Sequence, residues 1–159
     1  MKKKRAPEGQ AEARIAEAIV EEHRIIRRTL DEVHAILNAE PGAAARERAL
    51  AGAGAVLGYL RDLLGHHFEV EEKHGLLEDL VACEPRLRSA VRELYDEHTD
   101  LRERIGAICR LVAPPHAAAG GDLERLRRDF EAFRLALLEH EEKENDFISE
   151  VYNMDIGGG

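Results

Sequence analysis

Two matching stretches constrain the fold of this 159-residue chain most strongly, because each places a glutamate four residues after a histidine. The two pairs are His67 with Glu71 and His140 with Glu144. Residues four apart lie one turn apart on the same face of a helix. Leucines occupy other positions of the face that carries the first pair. The spacing therefore predicts that both pairs point into the core of a helical protein.

An imidazole and a carboxylate that are buried side by side need a compensating partner. Burial of a charged or polar group is costly unless it is hydrogen-bonded or paired with opposite charge. A metal ion would satisfy both groups, because imidazole nitrogens and carboxylate oxygens are common metal ligands. The two pairs therefore indicate a buried metal site.

The two stretches belong to a longer internal repeat. His67 and His140 are 73 residues apart, and the dipeptides Glu22-His23 and Glu97-His98 are 75 residues apart. Each half of the chain thus carries one histidine followed by a His-x3-Glu motif. We predict a tandem of two halves of about 75 residues, which limits the architectures that the chain can adopt.

Hydrophobic periodicity and composition predict an all-α protein. Aromatic residues make up only 4% of the chain, there is no Trp, and helix-favouring Ala, Leu, Arg and Glu dominate. Four long amphipathic helices joined by short loops predict an antiparallel up-down-up-down four-helix bundle. The helices are expected at about 11–39, from 43–51 to about 83, 85–112 and 122–152. The bundle would span 11–152, with disordered ends at 1–10 and 153–159.

The apolar stripe of each helix predicts which side chains face the bundle interior. Histidines replace apolar residues in two of these stripes, His23 in the first helix and His98 in the third. The stripe of the second helix is read as Ala53, Val56, Leu60, Leu63 and His67. All four helices therefore direct an imidazole toward one interior.

Charge and hydropathy exclude several classes of partner. The net charge of −9 makes nucleic acid an unfavourable partner. No apolar run approaches the roughly 18 residues that a membrane-spanning helix requires, and no signal-peptide core is present. We expect a cytoplasmic protein without a membrane partner, and the sequence leaves its oligomeric state open.

Six residues are the predicted metal ligands. Four imidazoles and two carboxylates exceed the four ligands of a structural zinc ion. They divide between two ions, each with two imidazoles, and both carboxylates bridge the ions. Nitrogen and carboxylate ligands with open coordination positions suit iron or manganese that handle small molecules. The six residues are His23, His67, Glu71, His98, His140 and Glu144.

This order of ligands resembles the hemerythrin-like family, which is also called the HHE cation-binding family. Its pattern is His, His-x3-Glu, His and His-x3-Glu on four helices, and the resemblance covers about 11–152. It implies a non-haem di-iron centre with a bridging oxo or hydroxo group. It also implies binding of, or reaction with, dioxygen, nitric oxide or peroxide, in sensing or in the response to oxidative or nitrosative stress.

Two positions depart from the oxygen-carrying members of the family. Those proteins place a further histidine ligand where this chain has Arg102, and an aspartate ligand where it has Asn145. Reversible oxygen transport is therefore not implied for this chain. Whether the protein turns over a substrate as an enzyme stays open.

Further residues near the motifs allow alternative interpretations. His74 lies on the same face as His67 and is a candidate seventh ligand, although its counterpart in the repeat is Phe147. Together with Glu71 it also forms one Glu-x-x-His copy, as in a ferritin-like di-metal oxidase or iron-handling bundle. A metal-stapled interaction scaffold is the third interpretation. Four acidic residues beside the motifs are expected on a solvated face, or else in hydrogen bonds to ligand imidazoles: Glu22, Glu72, Glu97 and Glu141.

Overall fold

The computed structural model describes residues 8–39, 42–74, 76–83, 85–113 and 123–156. No strand occurs within these ranges, and nearly every residue in them is helical. The elements are α1 (Glu8–Asn38), α2 (Ala43–His74), α3 (Leu76–Cys83), a 3₁₀ turn (Pro85–Leu87), α4 (Arg88–Val112) and α5 (Leu123–Ile156).

Four long helices form the bundle. α1 packs against α2 and α5, and α4 packs against the same two helices, so the four close into a ring. The short α3 follows α2 and contacts α4. The predicted all-α four-helix bundle is therefore confirmed. No helix within the described part of the chain is both long and apolar enough to cross a membrane.

The apolar stripe of α1 is buried as its periodicity predicts. The side chains that line the interior are spaced three or four residues apart, so they share one face of the helix. Each of them is at most 3% exposed: Ile19, Ile26, Leu30, Val33 and Leu37.

The stripe of α2 is wider than the sequence prediction. Val56 and Leu63 are only partly buried, whereas Leu57, Leu64 and Phe68 are completely buried. Both rows of residues have helical spacing, so periodicity alone does not select between them. The deeper row is selected because α2 packs against α1 on one side and α4 on the other.

Two apolar clusters flank a polar layer. The main core begins at Ile26 on α1 and at Leu101 on α4 and continues toward the C-terminus of both helices. On α2 and α5 it ends at Phe68 and Leu137. A smaller cluster at the other side contains buried Leu77, Val91 and Leu94. The predicted metal ligands lie along the helices between these two clusters, so the fold places them in a layer closed by apolar side chains on both sides.

Candidate metal centre

The structure brings the six predicted site residues together in the bundle interior. α1 contributes one imidazole, α4 contributes one, and α2 and α5 each contribute an imidazole and a carboxylate. None of the six is more than 3% exposed. They are His23, His67, Glu71, His98, His140 and Glu144.

Their donor atoms fall into two overlapping groups. In each group, one ligand atom from every residue lies within 4.8 Å of the others, a spacing that can hold a metal ion. Both carboxylates belong to both groups. The first group is His23, His67, Glu71 and Glu144, and the second is Glu71, His98, His140 and Glu144.

The two carboxylates span the groups. Glu71 has Oε1 3.1 Å from Nε2 of His67 and Oε2 3.3 Å from Nε2 of His98. Glu144 has Oε1 3.0 Å from Nε2 of His140 and Oε2 3.4 Å from Nε2 of His23. Oε1 of Glu144 also lies 3.4 Å from Nε2 of His98. Each carboxylate therefore faces imidazoles of both groups, which is the geometry of a bridging ligand.

Three of the four imidazoles are oriented by carboxylates behind them. A hydrogen bond at Nδ1 fixes the ring and leaves Nε2 as the inward-facing donor atom. These three outer carboxylates are only partly exposed. Of the two expectations for them, the hydrogen bond to an imidazole therefore fits better than a position on a solvated face. The pairs are His67 with Glu22 at 2.8 Å, His98 with Glu72 at 3.0 Å and His140 with Glu97 at 2.8 Å.

Two of these outer carboxylates are paired with cations in turn. Arg102 donates to Glu72 at 2.9 Å, and Lys143 donates to Glu97 at 2.6 Å. Burial would raise the pKa of both carboxyl groups, but these cations and the imidazoles outweigh it and lower the pKa. Both groups therefore stay ionised and can hold their histidines.

The sequence of the chain matches a known protein family. The family model of the hemerythrin HHE cation-binding domain matches residues 14–153. The chain belongs to the hemerythrin HHE cation-binding family. No curated protein and no solved structure matches the chain.

The electrostatics of this HHE domain favour positive charge on the imidazoles beside Glu144. Burial opposes an imidazolium, but Glu144 and Glu71 outweigh it and raise the pKa of His98 to about 9. Against the same effect of burial, Glu144 also raises the pKa of His23 and His140. The imidazoles likewise overcome burial and hold the pKa of Glu144 well below its usual range.

Several inner atoms of the HHE site approach their neighbours without forming hydrogen bonds. Oε2 of Glu71, Oε2 of Glu144 and Nε2 of His140 are buried and have no hydrogen-bond partner among the described residues. They nevertheless lie 3.0 to 3.4 Å from atoms of neighbouring site residues. Buried polar atoms without partners are rare in native proteins. The convergence of these three atoms on their neighbours fits a cation bound between them.

Phe68 contacts the site, although the sequence analysis did not single it out. Its ring stacks on His98 with 4.1 Å between centroids and an angle of 15° between planes. It also lies 5.7 Å from the rings of His67 and His140. An apolar residue directly after His67 is the available signal, but the predicted stripe of α2 follows the neighbouring row.

The expected position of Glu141 on a solvated face is wrong. It is 0% exposed and accepts a hydrogen bond at Oε2 from Nε of Arg27 at 2.7 Å. α1 covers this face of α5, so a position that reads as polar surface in the sequence is inside the bundle. The side chain of His74, the candidate seventh ligand, lies outside the described residues.

Proposed function

We propose that this HHE domain holds a non-haem di-iron centre and binds or reacts with a small molecule, namely dioxygen, nitric oxide or peroxide. The observation that carries the proposal is the overlap of two four-donor groups that share both carboxylates. One cation would lie between His23 and His67 and the other between His98 and His140. Glu71 and Glu144 would bridge the two.

The donor types support iron rather than a structural zinc ion. Each cation would have two imidazole nitrogens and two carboxylate oxygens from the protein, so a six-coordinate ion keeps positions for exogenous ligands. When bound, a pair of ferrous ions supplies two electrons at adjoining positions to a small molecule.

The surrounding residues suit a site that admits small molecules and excludes bulk water. Phe68, Leu64 and Leu101 are at most 2% exposed and belong to the apolar core beside the layer of ligands. The outer carboxylates hold three imidazoles with Nδ1 bound and Nε2 inward. The protein thus contributes fixed ligand orientation and a dry, closed surrounding.

A ferritin-like oxidase centre receives less support from the geometry. That arrangement requires a glutamate ligand from two helices and Glu-x-x-His from the other two. Here α1 and α4 contribute His23 and His98 to the inner groups, and neither group contains a glutamate from those helices.

Stopped-flow spectroscopy of the reduced, iron-loaded protein tests the proposed reactivity. The protein is mixed separately with dioxygen, nitric oxide and peroxide, and the iron absorption bands are followed. We expect rapid spectral change with at least one of the three, and a slower or absent change in His98→Ala. Spectra that do not change with any of the three would contradict the proposal.

A further inference from the structure

One pair of equivalent positions beside the site carries side chains of different chemistry on the two sides. Phe68 and Glu141 are 73 residues apart, and each directly follows the inner histidine of its helix. An arginine from the neighbouring helix lies behind each of them. The Arg102 guanidinium lies 5.2 Å from the centroid of the Phe68 ring, and Arg27 donates to Glu141 at 2.7 Å. The same place therefore holds a carboxylate on one side and a ring on the other.

One oxygen of Glu141 has no visible role. Oε2 is bound by Arg27, but Oε1 is buried and has no hydrogen-bond partner in the described part of the chain. Arg27 lies on α1 one helical turn after His23, a member of the first donor group, so its contact with Glu141 places that carboxylate near the same group. A carboxyl oxygen buried without a partner is destabilising. Its place beside the first donor group suggests which partner it serves.

The ion pair with Arg27 does not explain this burial. The side chain of Arg27 is 49% exposed, so the pair lies at the boundary of the protein. Water screens the half-exposed guanidinium, so its contribution is smaller than that of a fully buried pair. That contribution does not offset the desolvation of a carboxylate that is completely removed from water. A metal cation bound at Oε1, in addition to Arg27 at Oε2, would offset this desolvation.

We propose that Oε1 of Glu141 is a further ligand to the cation held by His23 and His67, so that the two cation positions are inequivalent. This inference rests on the proposed di-iron function. As the side chains stand, Glu141 does not belong to either four-residue group. The terminal torsion of glutamate is broad, and the half-exposed Arg27 side chain can follow Oε2 as Oε1 turns toward the cation.

The inequivalence also indicates where a small molecule binds. The cation of His23 and His67 would have five protein donors, counting Glu141. The cation of His98 and His140 would have four, because Phe68 offers no donor atom at the equivalent place. The second position therefore keeps more room for an exogenous ligand.

Anaerobic ferrous titration of the metal-free protein tests the role of Glu141. In Glu141→Gln we expect one of the two dissociation constants to rise at least about 10-fold, while the other stays within about threefold of wild type. Glu142→Gln is the matched control, because Glu142 is the next residue and its carboxylate is exposed. Both dissociation constants should be unchanged in this variant. A glutamine can still accept a hydrogen bond from His23, so a pure acceptor role would leave both constants nearly unchanged.

Double variants identify the weakened position. In the Glu141→Gln background, His98→Ala should remove the ion that remains, whereas His23→Ala should take away little more. The reverse pattern would overturn the assignment. The oxidised wild-type protein should take up one azide per iron pair, and two azides per pair would contradict the single open position.

The outcomes separate this inference from the proposed function. A wild-type protein that binds fewer than two ferrous ions contradicts the di-iron proposal itself. Two ions in wild type, with both constants unchanged in Glu141→Gln, overturn only the role of Glu141. A lower melting temperature of metal-free Glu141→Gln, with both constants weakened equally, shows a structural role and also overturns the inference.

Discussion

Adjacent layers of the same bundle are stabilised by different physics. In the main core, large side chains such as Phe130 and Phe133 are at most 1% exposed and belong to one cluster of apolar residues. Burial of each contributes about 1.5–3 kcal/mol without any further partner. In the ligand layer, imidazoles and carboxylates are equally buried, and some of their atoms have no hydrogen-bond partner among the described residues. The core is therefore stable without further partners, whereas the layer of the six site residues leaves buried polar atoms that a cation would satisfy.

The largest effect on folding is expected in the core. Phe133→Ala removes a completely buried ring and leaves a cavity, so it should lower the free energy of unfolding by about 3–5 kcal/mol. The loss should be of similar size with and without iron. Denaturant unfolding of both forms measures it, and Leu135→Ala, at an exposed position, should change it by less than about 0.5 kcal/mol. A loss of stability confined to the iron-loaded form would contradict the view that the apolar core stabilises the fold independently of metal.

The next effect is expected in the ligand layer and concerns metal rather than folding. His140→Ala removes an imidazole that belongs to one donor group, so the purified protein should lose at least one of its irons per chain while remaining helical. His66→Ala is the control because His66 is exposed, and it should lose none. Metal analysis and circular dichroism check both variants. Equal iron content in the two would count against the ligand assignment.

Outer carboxylates should produce an intermediate effect. Glu97→Gln weakens the acceptor at Nδ1 of His140, and losses of this kind typically reduce metal affinity about 10- to 100-fold. Competition with a ferrous chelator measures the change. Glu139→Gln, on the same helix as His140 but largely exposed, should leave the affinity unchanged. Matching affinities for the two variants would show that the outer hydrogen bond is unimportant.

The smallest effect is expected at the cations behind those carboxylates. Arg102 and Glu72 are each 36% exposed, and such pairs contribute about 0–1 kcal/mol. Arg102→Gln should therefore weaken iron binding less than Glu97→Gln does, in the same competition assay. A weakening greater than tenfold would place Arg102 closer to the metal chemistry than its exposure indicates.

The sequence predicted the ligand layer better than its surroundings. His-x3-Glu spacing and its recurrence identify six residues whose donor atoms the fold does bring together, because four-residue spacing fixes direction on a helix. The spacing does not show which neighbouring row faces the interior, so it predicts neither the contact of Phe68 with the site nor the complete burial of Glu141. Both positions are decided by the packing of one helix on another, which a helical period alone does not determine.

The central claim is that four imidazoles and two carboxylates hold two neighbouring irons. Mössbauer spectroscopy of the protein loaded with iron-57, together with iron analysis, tests it most directly. If the proposed di-iron centre is present, we expect two irons per chain that are magnetically coupled after oxidation. A single uncoupled iron per chain, or iron retained after loss of both Glu71 and Glu144, would contradict it.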